Sequence, residues 1–424
     1  MLVFDAIKRL LPVSSRSFHA FEEHVCRTLD EEGRREADFR RMIAEEIGTL
    51  SKRMDGHSER LDALYARVEQ ADYGINGNID YKFEERTLPV LRKVEGTLDA
   101  HDAFSSMVLW DGYRREGETL LDAKKRLFRE MPPATGGLRL HQLASSQLLR
   151  EFDALCLAGG IRYWIAFGTQ LGAERHGGFV PWDDDLDVGI LRDDLALLRK
   201  MVEEDSRYRI TDVFDVYVHC HQIRFFFADP AIPCFIDLFV YDLTNDVSRE
   251  VFDAQGALRR KMVAELESDG GLARWREVGY LPAADPLMEG VSLRFEQLVE
   301  AVRDVGVGVD ERSARGIIWG ADNMDDPARE WVCPYEDVFP LKRVEFEGVE
   351  CYAPRCSLKM LEEGYGDIYA FPADLKTHSA HVSREALGDP ATRALMERLA
   401  EEGSANPSSA GMRPEEEGGL CQSQ

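Results

Sequence analysis

Four aspartates crowd residues 182 to 187, in the stretch WDDDLDVGI, and adjacent carboxylates repel one another unless a cation stands among them. The residues that follow show what kind of cation suits them. From Asp185 the letters alternate, Asp185, Leu186, Asp187, Val188, Gly189, Ile190, and in an extended chain successive side chains face opposite sides. Leu186, Val188 and Ile190 then share a buried face, while Asp185 and Asp187 project together from the other. Two carboxylates so placed make a clamp for a hard cation. Mg2+ takes one or two protein carboxylates and completes its shell with water and substrate phosphate oxygens. A solvated acidic loop, the bland reading in a chain of formal net charge -26, needs no such alternation. A calcium loop is excluded as well: Asp183, Asp185 and Asp187 fit its first, third and fifth positions, but Val188 stands where it needs glycine and Asp194 where it needs a bidentate Glu.

A clamp of this kind gains grip from a third acid on a neighbouring strand. The run CFIDLFVYD, 234 to 242, supplies Asp237 inside a strongly apolar, strand-like stretch, where a charge is costly without a partner and a partly buried metal is such a partner. Asp183 and Asp184 read as turn residues or supports for the ligands. Upstream, IRYWIA at 161 to 166 reads as a strand running into Phe167-Gly168-Thr169, and QLGAERH as a short helix leading to Gly177-Gly178 and the aspartates. Strand, small-residue turn with a hydroxyl, helix and acid strand form a cradle for a nucleotide. The backbone N–H groups of Gly168 and Thr169 can approach a phosphate, because glycine has no side chain in the way and a helix start favours negative charge.

These elements need a scaffold, and 424 residues with 44% hydrophobic content supply one with room for two or three domains. The acidic balance argues against nonspecific nucleic-acid or anionic-lipid binding, so any phosphate must be held locally by metal and a few bases. Eight cysteines lie scattered with no C-x-x-C pair, which predicts free thiols in a reducing cytoplasm rather than a disulfide framework. His219, Cys220, His221 and Cys234 match no standard zinc spacing. No run of 18 uninterrupted apolar residues predicts a membrane span. The amphipathic start MLVFDAIKRLLPVSS predicts packing against the N-terminal region, with attachment to the membrane surface as the alternative.

Ile43, Ile47, Leu50, Met54, His57, Leu61, Leu64 and Val68 step by alternating fours and threes, a heptad seam. It predicts a coiled coil, either joining two chains as a homodimer or folding back on a second helix around Leu91, Val94 and Leu98 after the Asn76-Gly77 turn. Pro132-Pro133 and Gly136-Gly137 then break the chain. Beyond them Leu140, Ala144, Leu148, Phe152 and Leu155 form one helical face that Gly159-Gly160 ends. The predicted organisation is a helical, coiled-coil-containing region over 1–135, a catalytic domain over 136–400 and a disordered tail over 401–424.

At this point the stretch FGTQLGAERHGGFVPWDDDLDVGI resembles the signature of the LicD family, bacterial phosphocholine transferases related to the fukutin-type proteins. IDLF at 236 to 239, VFPLKRVEFEG at 338 to 348 and LEEGYGDIY at 361 to 369 extend the resemblance in order, from about Leu138 to His378. It implies an α/β (α+β) nucleotidyltransferase-like mixed sheet with flanking helices. It also implies transfer of a phospho-substituent from a CDP-alcohol donor to a sugar hydroxyl of a cell-surface glycan or its precursor, with release of CMP. Asp185 and Asp187 would hold Mg2+ or Mn2+ against the donor diphosphate, and Asp237 would complete the site or take the acceptor proton. Arg175 and His176 match the family's Arg-His and would contact phosphate, with a structural ion pair as the alternative. Lys342 and His378 sit at matching positions for substrate. Glu174 and Gly177 depart from the apolar residue and Lys expected there, which bears on donor or acceptor preference and not on the acids. The implied setting is the cytoplasm, with peripheral attachment at the inner face of the membrane as an option.

Two other classes stand beside this one. A GT-A glycosyltransferase also uses D-x-D to hold a metal against a nucleotide diphosphate, but the Gly-Thr turn and the later Asp237 favour the nucleotidyltransferase arrangement. An inactive interaction protein built on the coiled coil has no need for all three acids.

Overall fold

A computed structural model of the chain describes residues 60, 63, 88–215, 218–268, 280–282, 285–324, 331–370 and 381–405. All eight positions of the heptad seam lie outside them, as do the amphipathic start, the Asn76-Gly77 turn, His378 and the chain beyond 405. Described residues up to Ala123 fall in one compact unit and those from Lys124 onward in another. The first contains the helix α1 (Leu88–Tyr113), which takes in the helical spacing read at Leu91, Val94 and Leu98. None of the described helices is long and apolar enough to cross a membrane.

After α2 (Leu120–Glu130), the second unit is built on one mixed sheet. Among the described residues eight strands join it, in the order β1-β2-β5-β4-β3-β6, with β7 paired to β5 and β8 to β7. The strands are β1 (Tyr163–Ile165), β2 (Asp187–Leu191), β3 (Tyr208–Asp215), β4 (Cys220–Phe227), β5 (Phe235–Thr244), β6 (Tyr280–Pro282), β7 (Gly316–Trp319) and β8 (Val332–Pro334). The sheet's parallel pair is β2 with β5, with Asp187 level with Asp237; the other pairings are antiparallel. The mixed α/β architecture expected from sequence is thus present. A separate hairpin, β9 (Lys342–Phe346) with β10 (Val349–Ala353), lies beside it.

Helix α3 (Gly136–Gly159) forms where the apolar face was read, and Gly160 ends it in the left-handed region at φ 62°. Its Ala144, Leu148 and Phe152 are fully buried with Val188, Ile190, Ile236 and Leu238 from the central strands. Each such buried aliphatic or aromatic side chain contributes about 1.5–3 kcal/mol. Met396 and Leu399 of a later helix, Pro390–Ala405, join the same core. Ordered chain therefore continues past residue 400. The alternation read at Asp185 to Ile190 has its physical basis here: the apolar partners turn to α3, and the acids turn to the other face.

Among the described residues Cys156, Cys220, Cys234, Cys333 and Cys351 are free thiols, and Cys356 is disulfide-bonded. Cys234 faces the imidazole of His141 at 3.7 Å, and His221 is bonded to Asp212 at 2.9 Å. Among the described residues neither belongs to a metal-sized group.

Candidate functional site

The site begins where β1 hands over to α4 (Phe167–Arg175). The first turn of α4 lies over the start of β2, and the Gly168 N–H donates to Asp187 Oδ2 at 3.0 Å. Thr169 Oγ1 accepts the Asp187 N–H at 2.7 Å. Glycine is required by space: a Cβ at Gly168 would lie 2.7 Å from Asp183 Oδ2 and 3.3 Å from Asp187 Oδ2. From the other side, the Asp237 N–H donates to the Leu186 carbonyl at 2.7 Å. Helix α3 fixes the loop between, through His141 Nε2 on the Asp184 carbonyl at 2.8 Å and Gln142 Nε2 donating to the Asp183 carbonyl at 2.9 Å.

Asp185, Asp187 and Asp237 each bring one carboxylate oxygen to within 4.8 Å of the others. The charge in this space is unbalanced. Burial, and then the neighbouring Asp185 charge, push Asp183 up to about 9. Burial followed by the charges of Asp185, Asp183 and Asp237 raises Asp187 well above the ordinary carboxylate range. Burial also raises Asp237, against the opposing pull of Arg224. Among the described residues, neither Asp183 nor Asp187 has a cationic partner. An all-oxygen donor set in which Asp187, with Asp183 beside it, has no cationic partner fits a hard divalent cation such as Mg2+ or Mn2+.

Two residues of the site escaped sequence reasoning. Arg224 of β4 stands level with Asp237 and grips it through Nε at 2.7 Å and Nη2 at 3.3 Å; an Arg inside the apolar strand HQIRFFF was the available signal. His381 reaches Asp184 Oδ1 at 2.9 Å and Asp185 Oδ2 at 3.3 Å through Nδ1, and nothing local in the sequence announces it. Burial alone would raise Asp184, but hydrogen bonds from His381 and the Val382 N–H outweigh it and hold the carboxyl low. The hydrogen bond to Asp184 in turn raises His381.

The remaining expected residues are placed differently. Arg175 lies seven residues along α4 from Gly168, about 10 Å at 1.5 Å per residue, with its guanidinium 3.7 Å from the centre of the Phe128 ring. Burial lowers Arg175 to about 10 and His176 to about 4. Nε and Nη2 of Arg175 and both ring nitrogens of His176 are buried with no hydrogen-bond partner. Among the described residues Arg175 forms no ion pair, the alternative read for it, and Arg175 and His176 stand apart from the acids. Lys342 opens β9; partial burial lowers its ammonium, against the charge of Glu174. His378 lies outside the described residues.

Comparison with known proteins bears on this same segment. Residues 160–262 match the family model described as LicD/FKTN/FKRP, nucleotidyltransferase domain. The lipopolysaccharide cholinephosphotransferase LicD of Haemophilus influenzae is 33% identical over 117 residues, 25% of this chain and 44% of that protein. The ribitol 5-phosphate transferase FKRP of Mus musculus is 53% identical over 39 residues, 9% of this chain and 8% of that protein. An uncharacterised protein of Rickettsia prowazekii is 42% identical over 62 residues, 15% of this chain and 23% of its own length. The chain spans less than half the length of each of these relatives.

Proposed function

Starting from the LicD-type domain that residues 160–262 carry, we propose that this chain is a metal-dependent transferase. It moves a phospho-alcohol from a CDP-activated donor to a sugar hydroxyl of a cell-surface glycan or its precursor and releases CMP. The observation that carries the reading is the parallel register of Asp187 with Asp237, which brings both within reach of Asp185 directly below a Gly-Thr helix start.

Phosphoryl transfer asks the protein for positioning and charge neutralisation more than for covalent chemistry. Asp185, Asp187 and Asp237 would hold Mg2+ or Mn2+, which when bound neutralises the donor diphosphate. The acceptor oxygen forms a bond to the phosphorus bearing the alcohol. The bond from that phosphorus to the bridging diphosphate oxygen breaks, and CMP leaves with the electron pair. The acceptor proton passes to Asp237 or to water; Arg224 keeps Asp237 oriented, and burial raises its proton affinity. Gly168 and Thr169 position Asp187 at the start of α4, beside which the donor phosphates are placed. Arg175 and His176, packed on Phe128 at the far end of α4, are given no contact with the donor, and Lys342 with His378 is assigned to the acceptor. The region 1–135 is assigned to association of two chains, and the enzyme to the cytoplasm, peripherally at the inner face of the membrane.

The deciding experiment measures CMP release from CDP-choline, CDP-ethanolamine, CDP-glycerol and CDP-ribitol with candidate glycan acceptors, with and without Mg2+. Mg2+-dependent CMP release is expected. Release of a nucleoside diphosphate from nucleotide sugars instead would sink the proposal.

A further inference from the structure

The hairpin of β9 and β10 turns on Glu347 and Gly348, both at positive φ, 50° and 71°. A two-residue turn of this form usually takes Asn, Asp or Gly at its first position, because these residues tolerate left-handed backbone. Glutamate is uncommon there, and such a residue persists where the surroundings or a function hold it. Glu347 is engaged with the segment 177–186, which carries the acids from α4 to β2. Its N–H donates to the Gly177 carbonyl at 3.2 Å, and its Oε1 accepts the Phe179 N–H at 3.1 Å. A Cβ at Gly178 would collide with that same oxygen. The Phe179 ring packs edge to face on Phe346 at 4.8 Å.

The same carboxylate also acts through α3. Arg139 closes on it with two parallel bonds, Nη1 to Oε1 and Nη2 to Oε2, each at 2.8 Å. Arg139 Nη1 donates as well to Gln142 Oε1 at 3.3 Å. A guanidinium only donates, so Gln142 must offer it the amide oxygen. That leaves Gln142 Nε2 for the Asp183 carbonyl at 2.9 Å and the Val180 carbonyl at 3.4 Å. Glu347 thus reaches the backbone of the acid segment twice, directly at Gly177 and Phe179 and by relay at Val180 and Asp183. The hairpin is fastened to α3 elsewhere, by Arg343 on Asp153 at 2.6 and 2.8 Å and by Arg150 on the Gly348 carbonyl at 3.3 Å. Removing the Glu347 side chain would leave the hairpin in place and loosen the segment alone.

We propose that Glu347 is a positioning residue for the acid site: from the hairpin tip it holds the segment 177–183 so that Asp185 arrives beside Asp187 and Asp237 at cation-binding distance. The inference rests on the metal reading of those acids. Asp187 and Asp237 take their places from the pairing of β2 with β5. Asp185 stands before β2 begins, so its place depends on the segment that leads to it. A residue that orients metal ligands without touching the metal typically changes affinity by about 10- to 100-fold when it is lost. The effect should therefore fall on the cation first, and on turnover only through it.

The test measures Mn2+ affinity of the full chain, without substrate, from the electron paramagnetic resonance signal of free Mn2+. Glu347→Ala is expected to bind Mn2+ at least about tenfold more weakly than the wild type. Glu347→Gln keeps an oxygen for the Phe179 N–H and should recover most of that loss. Gly178→Ala, which displaces the carboxylate while every charge remains, should weaken binding in the same direction. Arg343→Met supplies the control, since it cuts a different tie between hairpin and α3: it should lose stability in urea and keep Mn2+ affinity. In the metal-free protein, hydrogen exchange at the Phe179 amide should quicken in Glu347→Ala and not in Arg343→Met. Wild-type affinity in both Glu347→Ala and Gly178→Ala, or an equal fall in Arg343→Met, overturns the inference and leaves the metal assignment standing. A wild type with no saturable Mn2+ binding removes the metal assignment and this inference with it. Affinities that follow the expected order with no CMP release from any CDP-alcohol keep the role of Glu347 and remove the transferase.

Discussion

Asp187 is held from three directions, by the Gly168 N–H, by Thr169 Oγ1 and by pairing of its strand with β5. Its geometry does not depend on its charge, so Asp187→Asn should fold normally and lose the charge alone. Turnover is expected to fall by at least about 100-fold, the scale for removing one group that stabilises transferring charge, and Asp185→Asn should behave alike. Circular dichroism and Mg2+-dependent CMP release check this together; ordinary turnover in both variants removes the metal assignment. Gly168→Ala separates close approach from charge. The added Cβ meets Asp183 and Asp187 oxygens, so the carboxylates must move while every charge remains. A rise in the Mg2+ concentration needed for half-maximal turnover is expected, and an unchanged Mg2+ dependence would show that the helix start does not set the acid spacing.

At the scale of elements, the opposite end of the strand pair carries a second set of charges that is balanced where the first is not. Arg192, which begins α5 (Arg192–Glu204), bonds Asp242 of β5 at 2.7 Å through two nitrogens and Asp322 at 3.0 and 2.7 Å. His221 of β4 bonds Asp212 of β3 at 2.9 Å and lies 3.8 Å from Asp322, while Arg199 holds Asp212 from α5. Arg192→Met leaves buried Asp242 unpaired and Asp322 with His221 alone, and should cost about 3–5 kcal/mol in urea denaturation. Burial would lower His221, but Asp212 and Asp322 outweigh it and raise its pKa above 6.5. A raised imidazole contributes stability that is complete below 6.5 and is lost as pH rises through the folded value. The wild type should therefore lose stability as pH rises above 6.5, and His221→Gln should lack that slope; equal slopes in the two proteins would remove His221 as its source. Legibility from sequence follows the same divide. Strand β2 was readable because alternation of apolar and acidic residues is local, and Asp237 because a charge inside CFIDLFVYD is costly. The level pairing of Asp187 with Asp237 and the arrival of His381 were not readable, since they depend on strand register and on a chain return far along the sequence. Arg175 was close in sequence, yet the rise of α4 carried it away from the acids to Phe128.

The whole molecule carries a formal net charge of -26, and this makes the effect of divalent ions a question of specificity. Any salt relieves self-repulsion in such a chain, so a rise in thermal stability with MgCl2 proves nothing unless a specific part can be separated from it. The acid site supplies the distinction. Asp183 and Asp187 are raised by burial and then by the charge of Asp185, with no cationic partner to oppose it, so a cation bound among them stabilises the folded chain alone. Mass action sets the gain at about 2.7 kcal/mol when free Mg2+ stands at 100 times its dissociation constant, which amounts to several degrees in Tm. The stabilisation should saturate, persist in NaCl at matched ionic strength and reverse with EDTA. Asp187→Asn removes one of the three carboxylates that face each other in the site but changes the net charge by only one. It should lose the saturable component and keep the part that NaCl reproduces. A wild type whose response to MgCl2 is matched by NaCl at every ionic strength would place the effect in the general field of the molecule and leave the acid cluster without its cation.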